Sequence, residues 1–146
     1  MSEVVSIFEE IIKKHPVLQK SISEDSVDEM YENAYHYYQN CKYPSAIRTF
    51  ECLTFHRPYE PIYWEGLASS LFLQKEYALS IDAWAMACLL NPTNPKNHLF
   101  AAECYFSLNN KEEGLKALMA GKKVATEKDV MGRIELLEEI WGEKHA

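Results

Sequence analysis

The stretch WEGLASSL, Trp64 to Leu71, sets a large aromatic, a leucine, an alanine and a second leucine at Trp64, Leu67, Ala68 and Leu71. The segments on either side repeat the pattern. Sliding the chain on itself by 34 residues aligns Ala34 with Ala68 and Ala102, Tyr37 with Leu71 and Tyr105, Tyr43 with Tyr77, and Ala46 with Ser80 and Gly114. The same shift aligns Phe50 with Trp84 and Leu118, and Pro58 with Pro92. Small residues fall on small ones and large on large.

A 34-residue helix–turn–helix unit with the signature W-x2-L-G-x2-Y is the tetratricopeptide repeat, and residues 64–71 fill its four slots. The predicted fold is therefore all-α. Three tetratricopeptide repeats are expected at 27–60, 61–94 and 95–126 as an α-solenoid, after an N-terminal helix and linker at 1–26 and before a C-terminal capping helix at 127–146. In each unit the small residue of the first helix faces that of the second, which lets the two backbones approach closely. Phe50, Trp84 and Leu118 then fill the space between units, and Pro58 and Pro92 stop their helices. The third copy is the most degenerate, with His98 in the Trp slot, Lys111 in the second Tyr slot and Thr126 in the Pro slot, as befits the end of a stack. Beyond it, Thr126 and Asp129 form a cap-like pair, and Val130, Ile134, Leu137 and Trp141 recur at helical spacing.

Ahead of the repeats, Val4, Ile7, Phe8, Ile11 and Ile12 make an apolar stripe that His15 and Pro16 terminate. Something must cover it. Packing back on the first repeat and meeting a second chain through Ile7, Phe8, Ile11 and Ile12 both remain open on this pattern.

The composition excludes several classes of function. A chain of 146 residues with 47% hydrophobic and 25% charged residues supports one globular domain. The formal charge of −7, with no basic stripe, offers no footprint for nucleic acid. No apolar run approaches the ~20 residues needed to span a bilayer, and Glu3, Glu9 and Glu10 interrupt what would be a signal peptide. Cys41, Cys52, Cys88 and Cys104 lack zinc-site spacing and read as reduced thiols of a cytosol, so no metal is expected. No GxSxG, HExxH, GxxxxGK[ST] or GxGxxG motif is present, and the five histidines are scattered. Neither catalysis nor a cofactor is expected.

Binding is a different matter. The segment MYENAYHYYQ, Met30 to Gln39, holds four of the chain's nine tyrosines. On a helix, Tyr31, Tyr35 and Tyr38 fall at i, i+4 and i+7 on one face, whereas Tyr37 points elsewhere and occupies the signature slot shared with Leu71 and Tyr105. The face carrying the three is the one that tetratricopeptide arrays turn towards their concave groove. Equivalent slots in the later units are Glu65, Ser69 and Phe72, then Leu99, Glu103 and Phe106. The expected inner surface is thus aromatic and aliphatic with two carboxylates, suited to an apolar peptide. The competing reading packs the stripe against the N-terminal helix or a partner subunit.

The segments YENAYHYYQNCKYPSAIRTFECLTFHRP, WEGLASSLFLQKEYALSIDAW and NPKNHLFAAECYFSLNNKEEGLKAL resemble the class II chaperones of bacterial type III secretion systems, with AAEC at Ala101 to Cys104 the most specific part. The resemblance implies a bacterial cytoplasmic homodimer. Its concave face would hold an extended, proline-containing segment of a hydrophobic secreted translocator, through positions matching Tyr31, Tyr35, Tyr38, Phe72 and Leu99. A structural adaptor or needle-subunit co-chaperone of the same apparatus shares the fold and stays open as a second reading. The chain departs from the family's pattern in placing Cys41 and Lys75 where the turn between paired helices usually has Gly. Tyr31 and Tyr35, standing where a carboxylate-clamp groove would have Lys and Asn, and Phe100 in place of its Arg, disfavour capture of an acidic C-terminus.

Overall fold

The computed structural model describes Glu10 and residues 24–144. The stripe at Val4, Ile7, Phe8, Ile11 and Ile12 lies outside the described residues. Seven helices follow one another among the described residues: α1 (Glu24–Gln39), α2 (Tyr43–His56), α3 (Pro61–Leu73), α4 (Tyr77–Leu90), α5 (Pro95–Ser107), α6 (Lys111–Val124) and α7 (Lys128–Lys144). The second helix of each pair begins at Tyr43, Tyr77 and Lys111, a constant interval of 34 residues. None of the described helices is long and apolar enough to cross a membrane.

The punctuation is local chemistry. Helices α2 and α4 end at His56 and Leu90, two residues short of Pro58 and Pro92, while Pro61 and Pro95 open α3 and α5 at the first-turn position where a missing N–H costs nothing. The turn inside each pair is the same three times. Cys41, Lys75 and Asn109 adopt left-handed φ values of 59°, 65° and 59°. The following N–H groups of Lys42, Glu76 and Asn110 donate back to the carbonyls of Tyr37, Leu71 and Tyr105 at 2.9, 2.9 and 2.8 Å. This is the Schellman closure that glycine serves without strain, so the departures at Cys41 and Lys75 change the cost of the turn and leave its shape intact.

Helix α1 starts at Glu24, taking in residues read above as linker. Glu24 accepts a hydrogen bond from Arg57, just past the end of α2, and Glu24 and Asp25 sit in the first turn where negative charge suits the helix dipole.

Packing follows the slots. Ala34, Ala46, Ala68, Ser80 and Ala102 are all fully enclosed. Ser80 Oγ donates to the Ala68 carbonyl at 2.7 Å and accepts from the Cys104 thiol at 3.3 Å, so the polar groups at this close helix crossing are satisfied. Between units, Phe50 lies so near Gly66 that a Cβ there would come within 2.3 Å of its ring. The Trp64 indole N–H donates to the Pro58 carbonyl at 2.8 Å, and His98, in the equivalent slot, brings Nε2 within 3.4 Å of the Pro92 carbonyl. The histidine keeps a weaker version of the same tie.

Two cores result. One joins α1 to α5 around Phe50, Leu53, Trp64, Trp84 and Met86. The other gathers Leu99, Ala102, Phe106 and Leu118 beneath Val130, Ile134 and Leu137 of α7. Each such aliphatic side chain withdrawn from water contributes about 1.5–3 kcal/mol.

Candidate functional site

The first helices of the three pairs line a trough. On α1 the rings of Tyr31, Tyr35 and Tyr38 stand in a row, successive centroids 6.3 Å apart, as their i, i+4, i+7 spacing requires. They wall a hollow of about 250 Å³, bounded on the other side by Ile62, Glu65, Gly66 and Ser69 of α3 and floored by Phe50. Tyr38 and Ser69 also border a second hollow of about 250 Å³, completed by Phe72, Leu73, Trp84, Phe100 and Glu103. Phe72 and Glu103 carry the surface on into a third, of about 370 Å³, where Phe106, Ser107, Arg133, Leu137 and Trp141 meet. Shared residues make the three hollows one trough.

Tyr35 is 48% exposed, while Tyr31 and Tyr38 are half-buried against the first core. Burial pushes the phenols of Tyr31 and Tyr38 above their ordinary pKa, so both remain neutral hydroxyls able to donate to a peptide carbonyl. Phe72 packs edge-on against Tyr77 at 5.5 Å, and Trp84 lies 5.3 Å from Phe100. Polar groups are few. Glu65 accepts a hydrogen bond from the buried Asn97 amide at 3.1 Å, and Glu103 accepts two from Arg133 of α7, at 2.7 and 3.1 Å.

Seven of the nine expected groove residues, Tyr31, Tyr35, Tyr38, Glu65, Ser69, Phe72 and Glu103, are brought together on the trough. The remaining two are placed differently. Leu99 is only 5% exposed and belongs to the second core, because α7 lies over the third unit and covers that slot. Phe106 lines the third hollow but is only 7% exposed, because its ring stacks on Trp141 at 4.4 Å. Two contributors escape the slot pattern. Ile62 and Phe100 are 46% and 37% exposed and line the first and second hollows. The sequence signal for Phe100 is that it stands at the groove position where a carboxylate clamp has its arginine. Among the described residues no group of His, Cys, Asp and Glu is arranged to hold a metal ion.

Stacked helix pairs around a concave trough, closed by a capping helix, define a helical-repeat scaffold of the tetratricopeptide type. A family model described as "Anaphase-promoting complex, cyclosome, subunit 3" matches residues 39–120, and the chain belongs to that family. Among curated relatives, the low calcium response locus protein H of Yersinia pestis is 24% identical over 107 residues, which is 73% of this chain and 64% of the relative. Among solved structures, the Yersinia enterocolitica type III secretion chaperone SycD, in complex with a peptide of the translocator YopD, superposes with a TM-score of 0.81 at 22% identity, covering 87% of this chain and all of that one. Pseudomonas aeruginosa PcrH, in complex with the chaperone binding region of PopD, gives a TM-score of 0.81 at 18% identity, covering 88% of this chain and 99% of that one. At these identities the superpositions establish the fold.

Proposed function

We propose that this chain is a secretion chaperone that holds an extended apolar segment of a hydrophobic, translocator-type client along its trough in the bacterial cytoplasm. The observation that carries this reading is the continuous aromatic surface left open across α1, α3 and the outer side of α5, with Tyr35 and Phe100 facing solvent. A concave, mostly apolar trough with a few polar groups is the usual form of a binding site. That SycD is solved with a peptide of the translocator YopD, and PcrH with the chaperone binding region of PopD, supports the choice of client.

The mechanism is that of a holdase. A client whose membrane-active segments would otherwise aggregate is stabilised by mass action when one unfolded segment docks, with no nucleotide, cofactor or chemical step. Tyr31, Tyr35, Tyr38, Ser69 and Phe72 supply the binding surface, Glu65 leaves a carboxylate on it, and Glu103 pairs with Arg133. In this reading the protein is a homodimer, with Ile7, Phe8, Ile11 and Ile12 proposed as its contact and packing of that stripe back on the first repeat as the alternative. Removal of residues 1–15 then shifts the mass measured by light scattering from dimer to monomer; a folded dimer that survives the deletion excludes that segment from the interface.

Co-expression followed by mass spectrometry of what co-purifies tests the central claim. A hydrophobic secreted protein is expected, retained by the parent and released by Tyr38→Ala. A small needle subunit in its place would establish the alternative reading.

A further inference from the structure

Two carboxylates face the trough, and the fold treats them unequally. Glu103 is neutralised by Arg133, which reaches across from α7. Glu65 receives only the neutral Asn97 amide, and the ion pairs of the described residues leave it without a cation. It nonetheless borders the hollow walled by Tyr31, Tyr35 and Tyr38, and its charge helps to push the Tyr31 phenol upward.

A half-enclosed carboxylate beside three tyrosine rings is selective about what may cover it. An aliphatic side chain seated there would strip water from the charge and return nothing, and an acidic one would be repelled. A cation satisfies both features at once, because the electron-rich faces of aromatic rings attract it and the carboxylate gives it a charge-assisted hydrogen bond. Lysine and arginine also carry methylene stems that lie well along rings. The chain's net charge of −7 favours the approach of such a ligand.

We propose that the hollow between α1 and α3 receives a lysine or arginine side chain of the bound segment, its charged head on Glu65 and its stem along Tyr31, Tyr35 and Tyr38. This rests on the reading of the trough as a peptide site and adds a charge requirement to it. The bound segment is then apolar with one basic residue in fixed register, and its binding has a salt-dependent component.

Fluorescence anisotropy on the full chain tests this with dye-labelled nonapeptides of leucine, proline and serine. One position carries lysine, acetyl-lysine or norleucine, and that position is walked along the peptide. At one register lysine is expected to bind about tenfold tighter than either neutral analogue. Glu65→Gln, which keeps an oxygen for Asn97, should abolish the preference, whereas Phe72→Ala should weaken all three peptides alike. Equal binding of the three at every position overturns the cation pocket and leaves the peptide trough standing. A lysine preference that survives Glu65→Gln overturns the role of that residue. Failure of every peptide to bind the parent chain overturns both readings.

Discussion

The first and third units carry matching slots and use them in opposite ways. Tyr31 and Leu99 occupy one slot, as do Tyr38 and Phe106, yet the tyrosines border an open hollow while Leu99 and Phe106 are 5% and 7% exposed. Tyr35 is 48% exposed, and its counterpart Glu103 is bound by Arg133. The difference is α7. It drives Val130, Ile134 and Leu137 onto the third unit and lays Trp141 on Phe106, so the same helical face becomes core at one end and binding surface at the other. A slot in a repeat states which way a side chain points, and the neighbouring element decides what it meets.

The contrast predicts that stability is concentrated at the capped end and binding at the open one. The largest effect is expected from Ile134→Ala, which empties the centre of the second core. It should cost about 2–5 kcal/mol in urea or thermal unfolding, with little change in peptide affinity at temperatures where the variant is folded. A parallel loss of affinity under those conditions would break the division between the ends.

Phe72→Ala reverses the emphasis. Client affinity should fall by about 1–3 kcal/mol in a titration, the range of a hot spot, with helicity retained in circular dichroism. Unchanged affinity would mean that the open trough is not the contact surface.

Arg133→Ala sharpens the comparison of the two carboxylates. The Arg133–Glu103 pair is largely solvent-exposed on the Arg133 side, so its loss should lower stability by no more than ~1 kcal/mol. Glu103 would then stand as Glu65 does, and a second register of lysine preference should appear in the same peptide series.

The smallest expected effect lies at the turns. Lys75→Gly relieves a left-handed lysine and should raise stability by up to ~1 kcal/mol in urea unfolding. Asn109→Gly should gain less, since asparagine tolerates that conformation better. Equal gains at both positions would show that side-chain strain is not what separates them.

Much of this is legible in the sequence alone. The 34-residue interval located the second helix of each pair, and the pairing of Ala68 with Ser80 announced a close crossing whose hydroxyl and carbonyl do bond at 2.7 Å. Tyr31, Tyr35 and Tyr38 were readable as one face because i, i+4, i+7 spacing has only one outcome on a helix. The Glu24–Arg57 contact that ties the start of α1 to the end of α2 joins residues more than thirty positions apart, which no local pattern announces. That Leu99 is enclosed is not readable from its slot, because the α7 stripe predicts that the helix will bury a face without saying which side of the third unit it will choose.

What the linear chain determined by itself is what recurs along it: helix length, turn position, and the small residues that let paired helices meet, all set by interactions within one unit or between adjacent ones. What only the folded molecule decided is exposure at the two ends of the trough and the pairing of its carboxylates. The enclosed end and the Glu103–Arg133 pair depend on where α7 comes to rest, and that is a balance of apolar area buried across the last unit, carried by side-chain shape over several helices at once and by no single spacing.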